Sequence, residues 1–395
     1  MGNPQIRPGT ALSRRERKAA QLRAGVWLRG LVYGGSGYAD ETLPVVLGLE
    51  EHNIPIELHP VQFLSDTRDL LSPFVRDALE RLKLQRVDPG RSIFLQWLPA
   101  HDLEVHVYGR WRVARTMFES DRIPPGWSEA CEEMDEVWVP SEFNRRTFAA
   151  AGVSEDKVRV VPAGVDAELF RPGLEPLRIP HARGFKFLSV FEWAQRKGAD
   201  VLIRAYVSEF KPDEDVALII KAYPRPDPTA DLLPRLAYFV EREAGVSLEK
   251  APPIILLPGF LPNADVPRLY GTADAFVLPS RGEGYGRPYM EALACECPVI
   301  ATRWSGQLDF LHDHNSYLID ARVVPVPADN DIELFAGHCW AEPDVDHLRQ
   351  LMRYVFAHRE EARRLAVRGR REMVERWNWN VIIRQWVVEC ERLLA

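Results

Sequence analysis

Short apolar runs alternate with amphipathic helical segments along most of this 395-residue chain. An apolar run at 26–32 precedes a helical pattern at 38–51, and another at 185–191 precedes a helical pattern at 199–210. Such alternation is typical of parallel sheets whose strands are joined by crossover helices. Because 395 residues exceed what one ordinary core accommodates, we predict an α/β protein with two domains.

A segment rich in proline and glycine, residues 170–180, divides the alternating pattern into two series. It lacks helical or strand periodicity, which favours an interdomain linker. We therefore predict a first domain over residues 25–175 and a second domain over residues 181–370. A basic tail over residues 1–24 precedes them, and a final helical segment over residues 371–395 follows.

Charge and composition exclude several classes of protein. The formal net charge of −7 argues against nucleic acid as the main partner. No apolar run approaches the roughly 20 residues that a membrane-spanning helix needs, and residues 1–20 lack the apolar segment of a signal peptide. The five cysteines are scattered, as expected of reduced structural thiols. We therefore expect a cytoplasmic protein.

The basic tail leaves two alternatives open. Between residues 7 and 29 the only acidic residue is Glu16, whereas five further basic residues lie between them: Arg14, Arg15, Arg17, Lys18 and Arg23. A solvated, disordered tail is one interpretation of such a charge run. The other is an electrostatic contact with anionic lipid or a charged acceptor, which would hold the protein peripherally at the inner face of a membrane.

The stretch between residues 275 and 294 carries the most informative motif. An apolar strand pattern ends at Pro279, a loop with glycines at 282, 284 and 286 follows, and Pro288 marks the first turn of a helix. The glycines allow tight turns with exposed N–H groups, and a helix N-terminus attracts phosphate. Glu283 and Glu291, with seven residues between them, would repel phosphate, so we expect them to accept hydrogen bonds from sugar hydroxyls. A sugar nucleotide supplies both groups.

This stretch resembles the Glu-x7-Glu motif of retaining glycosyltransferases with the GT-B fold, the large group known as family 4. The segments 297–302 and 304–310 also resemble what that family places next. The resemblance covers nearly the whole chain after residue 25 and is most specific from residue 185 to residue 310. It implies two Rossmann-like domains whose parallel sheets face an interdomain cleft, with the last helix returning to the first domain.

The resemblance also implies an activity. A hexosyltransferase of this kind moves a hexose from a nucleoside diphosphate sugar, either GDP-mannose or a UDP-hexose, to a hydroxyl of a glycan or lipid-linked acceptor. It needs no cofactor and no metal, and we interpret the His-Asp-His segment at 312–314 and the Asp-Asn-Asp segment at 329–331 as surface loops. Two other functions stay open, namely an epimerase or phosphorylase of the same fold and a non-catalytic sugar-nucleotide-binding partner in a glycan assembly complex.

By the same resemblance, the glycine loop and its helix bind the donor. Glu291 is expected to accept hydrogen bonds from the ribose, and Glu283 is expected to contact the transferred sugar as a catalytic residue. The backbone that would meet the sugar and phosphates belongs to Gly284, Tyr285 and Gly286. A further loop, which reads the nucleobase through its backbone, includes Phe260 and Leu261. A solvated helix start is the alternative for the glutamates.

Arg196 and Lys197 are the candidate cations for the leaving group. They follow a predicted strand and precede a predicted helix, so they lie beside a second helix N-terminus. Two cations there would neutralise a departing diphosphate. The family usually has a Gly-Arg pair about five residues before the Lys-Gly, whereas this chain has Phe191 and Glu192. The sequence leaves open whether Arg196 supplies the missing guanidinium or belongs to a plain surface pair.

The first domain contributes two candidate segments. A glycine-rich loop follows the first strand, but Asp40 replaces the third glycine of a dinucleotide-binding motif. We interpret this loop either as a contact for the donor phosphates or as a simple tight turn; its residues are Gly35, Ser36 and Gly37. Glu119 follows a predicted strand at 111–118, where many family members have a histidine. It is expected to orient an acceptor hydroxyl, or else to cap the strand.

Overall fold

The computed structural model describes residues 22–33, 37–61, 71–106, 109–182, 184–224 and 229–395. They contain two six-stranded sheets, and every strand pairing recorded within these two sheets is parallel. The predicted α/β class with two sheet domains is therefore confirmed. Most of the basic tail and the loop residues 34–36 lie outside the described residues.

The first sheet has the strand order β2-β1-β3-β4-β5-β6. Its strands are β1 (Val26–Leu31), β2 (Ile56–Val61), β3 (Ile93–Trp97), β4 (Trp111–Arg115), β5 (Glu136–Val139) and β6 (Val158–Val160). Its helices are α1 (Gly37–Glu51), α2 (Pro73–Leu84), α3 (Trp127–Glu132) and α4 (Glu142–Ala150). Ser141 is the N-cap of α4, and its hydroxyl accepts a hydrogen bond from the backbone N–H of Asn144. Strand β4 ends earlier than predicted, so Glu119 lies in the segment after the strand, where it contacts Arg196 of the second domain.

The second sheet has the strand order β12-β11-β10-β7-β8-β9. Its strands are β7 (Phe185–Trp193), β8 (Val216–Pro224), β9 (Ile254–Pro258), β10 (Ala275–Leu278), β11 (Val299–Thr302) and β12 (Tyr317–Ile319). Its helices are α5 (Ala199–Glu209), α6 (Leu233–Ala244), α7 (Asp265–Thr272) and α8 (Arg287–Ala294). Strands β10 and β11 are buried along their whole length, as expected of central parallel strands covered on both faces.

An antiparallel hairpin follows the second sheet and was not predicted from the sequence. Its strands are β13 (Ala321–Pro325) and β14 (Cys339–Pro343), joined by residues 326–338. Both strands are short, and the sequence pattern between them indicates only a surface loop. We call residues 321–343 the interdomain hairpin, because its connecting segment contacts the first domain.

Three helices complete the chain: α9 (Val345–Ala357), α10 (Arg359–Arg376) and α11 (Trp379–Leu394). Helix α11 packs on the first domain. Trp386 stacks on Trp97 with ring centroids 4.9 Å apart, and its indole N–H donates to the carbonyl oxygen of Pro162 at 3.0 Å. None of the described helices combines the length and the apolar character that a membrane crossing requires.

Candidate active site

Four charged side chains form a continuous series of ion pairs between the two domains. Lys197 Nζ donates to both carboxylate oxygens of Glu283, at 2.7 and 2.8 Å. Arg196 Nη1 contacts Glu283 Oε2 at 3.2 Å. Arg196 Nη2 lies 3.3 Å from Glu119 Oε1 in the first domain. The structure thus brings together the four residues that the sequence singled out for catalysis.

Burial strengthens the electrostatics of this series. The side chains of Arg196 and Glu283 are each 7% exposed, and that of Lys197 is 12% exposed. Burial raises the pKa of the Glu283 carboxyl, but Lys197 and Arg196 outweigh it, so the pKa lies below its usual value. Burial, followed by repulsion from Arg196, lowers the pKa of Lys197, and Glu283 opposes both effects. Two cations are thus balanced by one carboxylate from each domain.

Local backbone geometry places Lys197 in this position. A short 3-10 turn, Gln195–Lys197, ends at Gly198, whose φ of 70° is readily adopted only by glycine. A Cβ atom on Gly198 would lie 2.1 Å from the carbonyl oxygen of Pro279, so glycine also allows helix α5 to approach the end of β10. Helix α5 receives no side-chain hydrogen bond from its N-cap residue, Gly198. Its first N–H groups are therefore oriented for an anion beside Lys197.

The glycine loop differs in one respect from the prediction. Only Gly286, with φ 98°, needs the positive dihedral angle that we expected to shape tight turns at all three glycines. Gly282 and Gly284 serve close packing instead. A Cβ on Gly282 would lie 2.0 Å from the carbonyl oxygen of Glu119, and one on Gly284 would lie 2.8 Å from Met117 Sδ. Glycine is therefore required because the loop presses against the first domain.

Glu291 is buried in α8, and two side chains hold it. Its Oε2 accepts a hydrogen bond from the Tyr270 hydroxyl at 2.8 Å, and its Oε1 accepts one from Arg287 Nη2 at 3.2 Å. Burial raises the pKa of Glu291, while Arg287 and the hydrogen bond from Tyr270 oppose the rise. Sequence reasoning missed Tyr270 and Arg287. Tyr270 lies on another helix, whereas the i, i+4 spacing of Arg287 and Glu291 was visible in the sequence.

The aromatic ring of Tyr285 packs in the hydrophobic core. It is 1% exposed, its hydroxyl donates to the Ala163 carbonyl at 2.9 Å, and its ring lies against Phe310 with centroids 5.3 Å apart. The neighbouring Gly284 carbonyl accepts a hydrogen bond from the Ser141 hydroxyl at 2.8 Å. This part of the loop thus connects the two domains. The predicted donor contact at Gly284, Tyr285 and Gly286 concerns the backbone and stays a prediction.

The loop that contains Phe260 and Leu261 follows strand β9 and lies beside the end of β8. The ring of Phe260 lies 4.9 Å from that of Tyr223, and both Phe260 and Leu261 are partly exposed. Lys221 Nζ donates to the carbonyl oxygen of Gly259 in the same loop. Burial lowers the pKa of Lys221 to about 8. The sequence did not single out Lys221, because it shows only a single lysine in an otherwise apolar strand.

Replacing Lys221 by methionine should abolish an increase in the free energy of unfolding between pH values of about 8 and 10.5. The unfolded chain keeps the Lys221 proton up to the ordinary lysine pKa of 10.5, whereas the folded protein, with its pKa lowered, loses it at about 8. Between these values the unfolded state binds more protons, so Lys221 makes the free energy of unfolding increase with pH. Urea denaturation at several pH values across this window measures it, with the exposed Lys250→Met as control. Identical pH profiles for wild type and Lys221→Met would contradict the prediction.

The interdomain hairpin contacts the segment of the first domain that contains Glu119. Ser120 Oγ lies 2.7 Å from His338 Nδ1. The backbone N–H of Asp121 donates to the carbonyl oxygen of Cys339 at 3.1 Å, and the backbone N–H of Cys339 donates to Asp121 Oδ1 at 2.6 Å. Phe335 stacks on Phe118 with centroids 4.8 Å apart. A histidine therefore lies next to the Glu119 segment, although it comes from the second domain. Sequence reasoning missed it because 218 residues separate His338 from Ser120.

Arg281 anchors the hairpin to the glycine loop. Its guanidinium makes hydrogen bonds of 2.7–2.9 Å with the carboxylates of Asp200 and Glu342, two contacts to each. Asp200 belongs to the first turn of α5, and Glu342 belongs to β14. One buried arginine therefore links three segments around Lys197. Its sequence partners are remote, so no local pattern predicts this role.

The remaining candidates of the first domain are described only in part. Gly35 and Ser36 lie outside the described residues, whereas Gly37 is exposed and begins α1. Asp40, in the first turn of α1, lies 3.2 Å from Arg287 Nη1 of the second domain. Within the described residues, no group of three or more His, Cys, Asp or Glu side chains is arranged to hold a metal ion.

Comparison with known proteins supports the sequence resemblance. Residues 183–339 match the family model described as Glycosyl transferases group 1. The MMP alpha-(1->4)-mannosyltransferase of Mycolicibacterium hassiacum is 27% identical over 244 residues, which cover 62% of this chain and 50% of that protein. The GDP-mannose-dependent alpha-(1-6)-phosphatidylinositol monomannoside mannosyltransferase of Mycolicibacterium smegmatis is 26% identical over 259 residues, covering 62% and 59%. The chain thus spans between half and three-fifths of these relatives.

Similarity to solved structures extends over both domains. The sucrose-phosphate synthase from Thermosynechococcus elongatus superposes with a TM-score of 0.67 at 15% identity, covering 94% of this chain and 99% of that one. The two facing parallel sheets therefore define a protein with the GT-B fold. The match to the Glycosyl transferases group 1 model covers residues 183–339, whereas the likeness to the solved structure extends over the fold of both domains. Membership of family 4 and retention of configuration stay predictions.

Proposed function

We propose that this protein is a retaining hexosyltransferase, which moves a hexose from a nucleoside diphosphate sugar to an acceptor hydroxyl. The observation that carries the proposal is the buried series of ion pairs from Lys197 through Glu283 and Arg196 to Glu119. It combines cations for a diphosphate with carboxylates for sugar hydroxyls at the junction of two domains. The two relatives of this chain described above are mannosyltransferases, which supports the same class of reaction.

In the proposed reaction, the bond between the anomeric carbon and the diphosphate oxygen breaks, and the acceptor oxygen bonds to that carbon from the same face. The electron pair of the broken bond stays on the diphosphate. Arg196, Lys197 and the N-termini of α5 and α8 stabilise that charge. A phosphate oxygen takes the acceptor proton, so the products are the nucleoside diphosphate and the glycosylated acceptor.

The two carboxylates of the series have different proposed roles. Glu283 orients both cations through its direct contacts and accepts a hydrogen bond from the transferred sugar. Glu119 lies on the first-domain side, where Arg196 holds its carboxylate at 3.3 Å. We assign Glu119 to the positioning of the acceptor hydroxyl. Closure of the two domains around the donor excludes water and limits hydrolysis.

GDP-mannose is the donor that we propose first, with a UDP-hexose as the second choice. Two observations support this order: both named relatives are mannosyltransferases, and one of them is GDP-mannose-dependent by name. The proposed acceptor is a glycan or a lipid-linked molecule. The proposal includes no cofactor and no metal, and it includes a peripheral membrane contact through the basic tail as a separate hypothesis.

Replacing Glu291 by glutamine should weaken binding of the nucleoside diphosphate by about 10-fold or more, because a charged acceptor for the ribose hydroxyls is lost. Glutamine keeps the shape of the side chain and can still contact Tyr270. The measurement is titration calorimetry with GDP, UDP and ADP in the presence of a metal chelator. The exposed Glu241→Gln on α6 is the matched control and should bind as the wild type does. Equal affinities of Glu291→Gln and wild type would contradict the ribose assignment.

Turnover assays separate the proposed function from its alternatives. Sugar transfer that proceeds in a chelator, requires an acceptor hydroxyl and keeps the anomeric configuration supports the proposal. Conversion of the donor without any acceptor would indicate an epimerase, and a requirement for phosphate would indicate a phosphorylase. Donor binding without turnover on a broad acceptor panel would indicate a non-catalytic partner.

A further inference from the structure

Arg287 connects three features of the donor side. Its Nη1 lies 3.2 Å from Asp40 Oδ2 of the first domain, and its Nη2 lies 3.2 Å from Glu291 Oε1. Its third nitrogen, Nε, is buried and has no hydrogen-bond partner among the described residues. A buried N–H without an acceptor is costly, so this guanidinium has an unused donor at the place where the proposed donor binds.

The backbone around Arg287 favours an anion at the same point. Arg287 is the first residue of α8, and Gly286 before it is an N-cap that provides no side-chain hydrogen bond. Gly286 therefore supplies no anionic or polar cap to the positive end of the helix dipole. Pro288 follows and contributes no N–H, so the guanidinium is the strongest donor of this first turn.

Charge balance indicates which contact of Arg287 can be exchanged. One cation faces two carboxylates, Asp40 and Glu291. The side chain of Asp40 is 58% exposed, so it can rotate into solvent at little cost. Glu291 is 12% exposed and also holds the Tyr270 hydroxyl, so it stays in place. An incoming anion thus replaces Asp40 rather than Glu291.

We propose that Arg287 is a donor-binding residue that contacts the diphosphate of the nucleotide, exchanging Asp40 for phosphate oxygens while it keeps Glu291 oriented toward the ribose. This inference rests on the proposed function, because it assigns a ligand to the same cleft. The guanidinium can offer two parallel N–H groups to a phosphate, which a lysine or an apolar residue cannot. Arg287 therefore discriminates between nucleoside diphosphates and nucleosides.

The test compares the binding of guanosine, GMP and GDP, and of the uridine series, to wild type, Arg287→Met, Arg287→Lys and Asp40→Asn. Arg287→Met should weaken diphosphate binding by about 10- to 100-fold and nucleoside binding by less than about 3-fold. Arg287→Lys should recover part of the diphosphate affinity. Asp40→Asn should bind the diphosphate as well as, or more tightly than, wild type, because the competing carboxylate is gone.

Three results would overturn the inference: unchanged diphosphate affinity in Arg287→Met, an equal loss for nucleoside and diphosphate, or weaker diphosphate binding in Asp40→Asn. An equal loss for nucleoside and diphosphate would mean that Arg287 only holds Glu291 in position and does not contact the diphosphate. Thermal unfolding of each variant shows whether it is folded, and Asp40→Asn tests the exchange without changing the arginine. Wild type that binds no nucleotide would instead refute the proposed function, so the two failures are distinct.

Discussion

Replacing Lys197 by methionine should lower the rate of sugar transfer by about 100- to 1,000-fold, the effect of removing one preorganised charge from a reaction that develops negative charge. Lys197 contacts both oxygens of Glu283, and its side chain is largely shielded from water. Its charge therefore acts in a medium of low dielectric constant. Methionine preserves the apolar stem and removes only the cation.

The measurement is the release of nucleoside diphosphate under saturating donor and acceptor. The matched control is Lys211→Met, because Lys211 is exposed in the same domain and its side chain lies outside the series of ion pairs. Lys197→Arg keeps the charge and should recover part of the rate. A turnover number for Lys197→Met within about 3-fold of wild type would contradict the assignment of Lys197 to the leaving group.

Phe335→Ala should lower the free energy of unfolding by about 3–5 kcal/mol, as expected for truncation of a buried phenylalanine. Phe335 is 3% exposed, stacks on Phe118 of the first domain, and lies 5.9 Å from the guanidinium carbon of Arg196. The substitution opens a cavity between the domains and removes the ring that supports Arg196. We therefore expect the transfer rate to fall in addition to stability.

Leu334→Ala is the control for the hairpin. Leu334 is the neighbouring residue and is 39% exposed, so its truncation leaves no comparable cavity. Urea denaturation measures the difference in stability, and the transfer rate is measured at a temperature where both variants are folded. Equal effects of Leu334→Ala and Phe335→Ala would show that the hairpin packs only loosely on the first domain.

Local patterns predicted the regular parts of the fold well. The predicted apolar runs at 26–32 and 185–191 and the predicted helical patterns at 38–51 and 199–210 agree with β1, β7, α1 and α5 within two residues at each end, because each has a clear apolar pattern. The interdomain hairpin escaped prediction for the opposite reason. Its strands are short, and Val323 in β13 is more than half exposed, so the alternation of apolar and polar residues is weak. The contacts of the hairpin are also made with residues that are remote in sequence.

The candidate site likewise contains residues that local sequence patterns indicate and residues that only the fold brings together. Glu283, Arg196 and Lys197 were identified from the residue types around two helix starts, since an anion site needs local glycines and cations. The partners that hold them were not identified. Arg281 contacts Asp200 and Glu342, which lie 81 and 61 residues away, and only folding brings these charges together.

The sequence by itself determined the α/β class and the two-sheet organisation, and it singled out candidate residues for a sugar nucleotide. Periodicity, capping and glycine placement are local properties, and local energetics alone can specify them. The tertiary structure decided which charges meet: Glu119 with Arg196 across the domains, and Arg287 between Asp40 and Glu291. These pairings depend on burial and on approach distances of a few ångströms between remote segments, which no local pattern encodes.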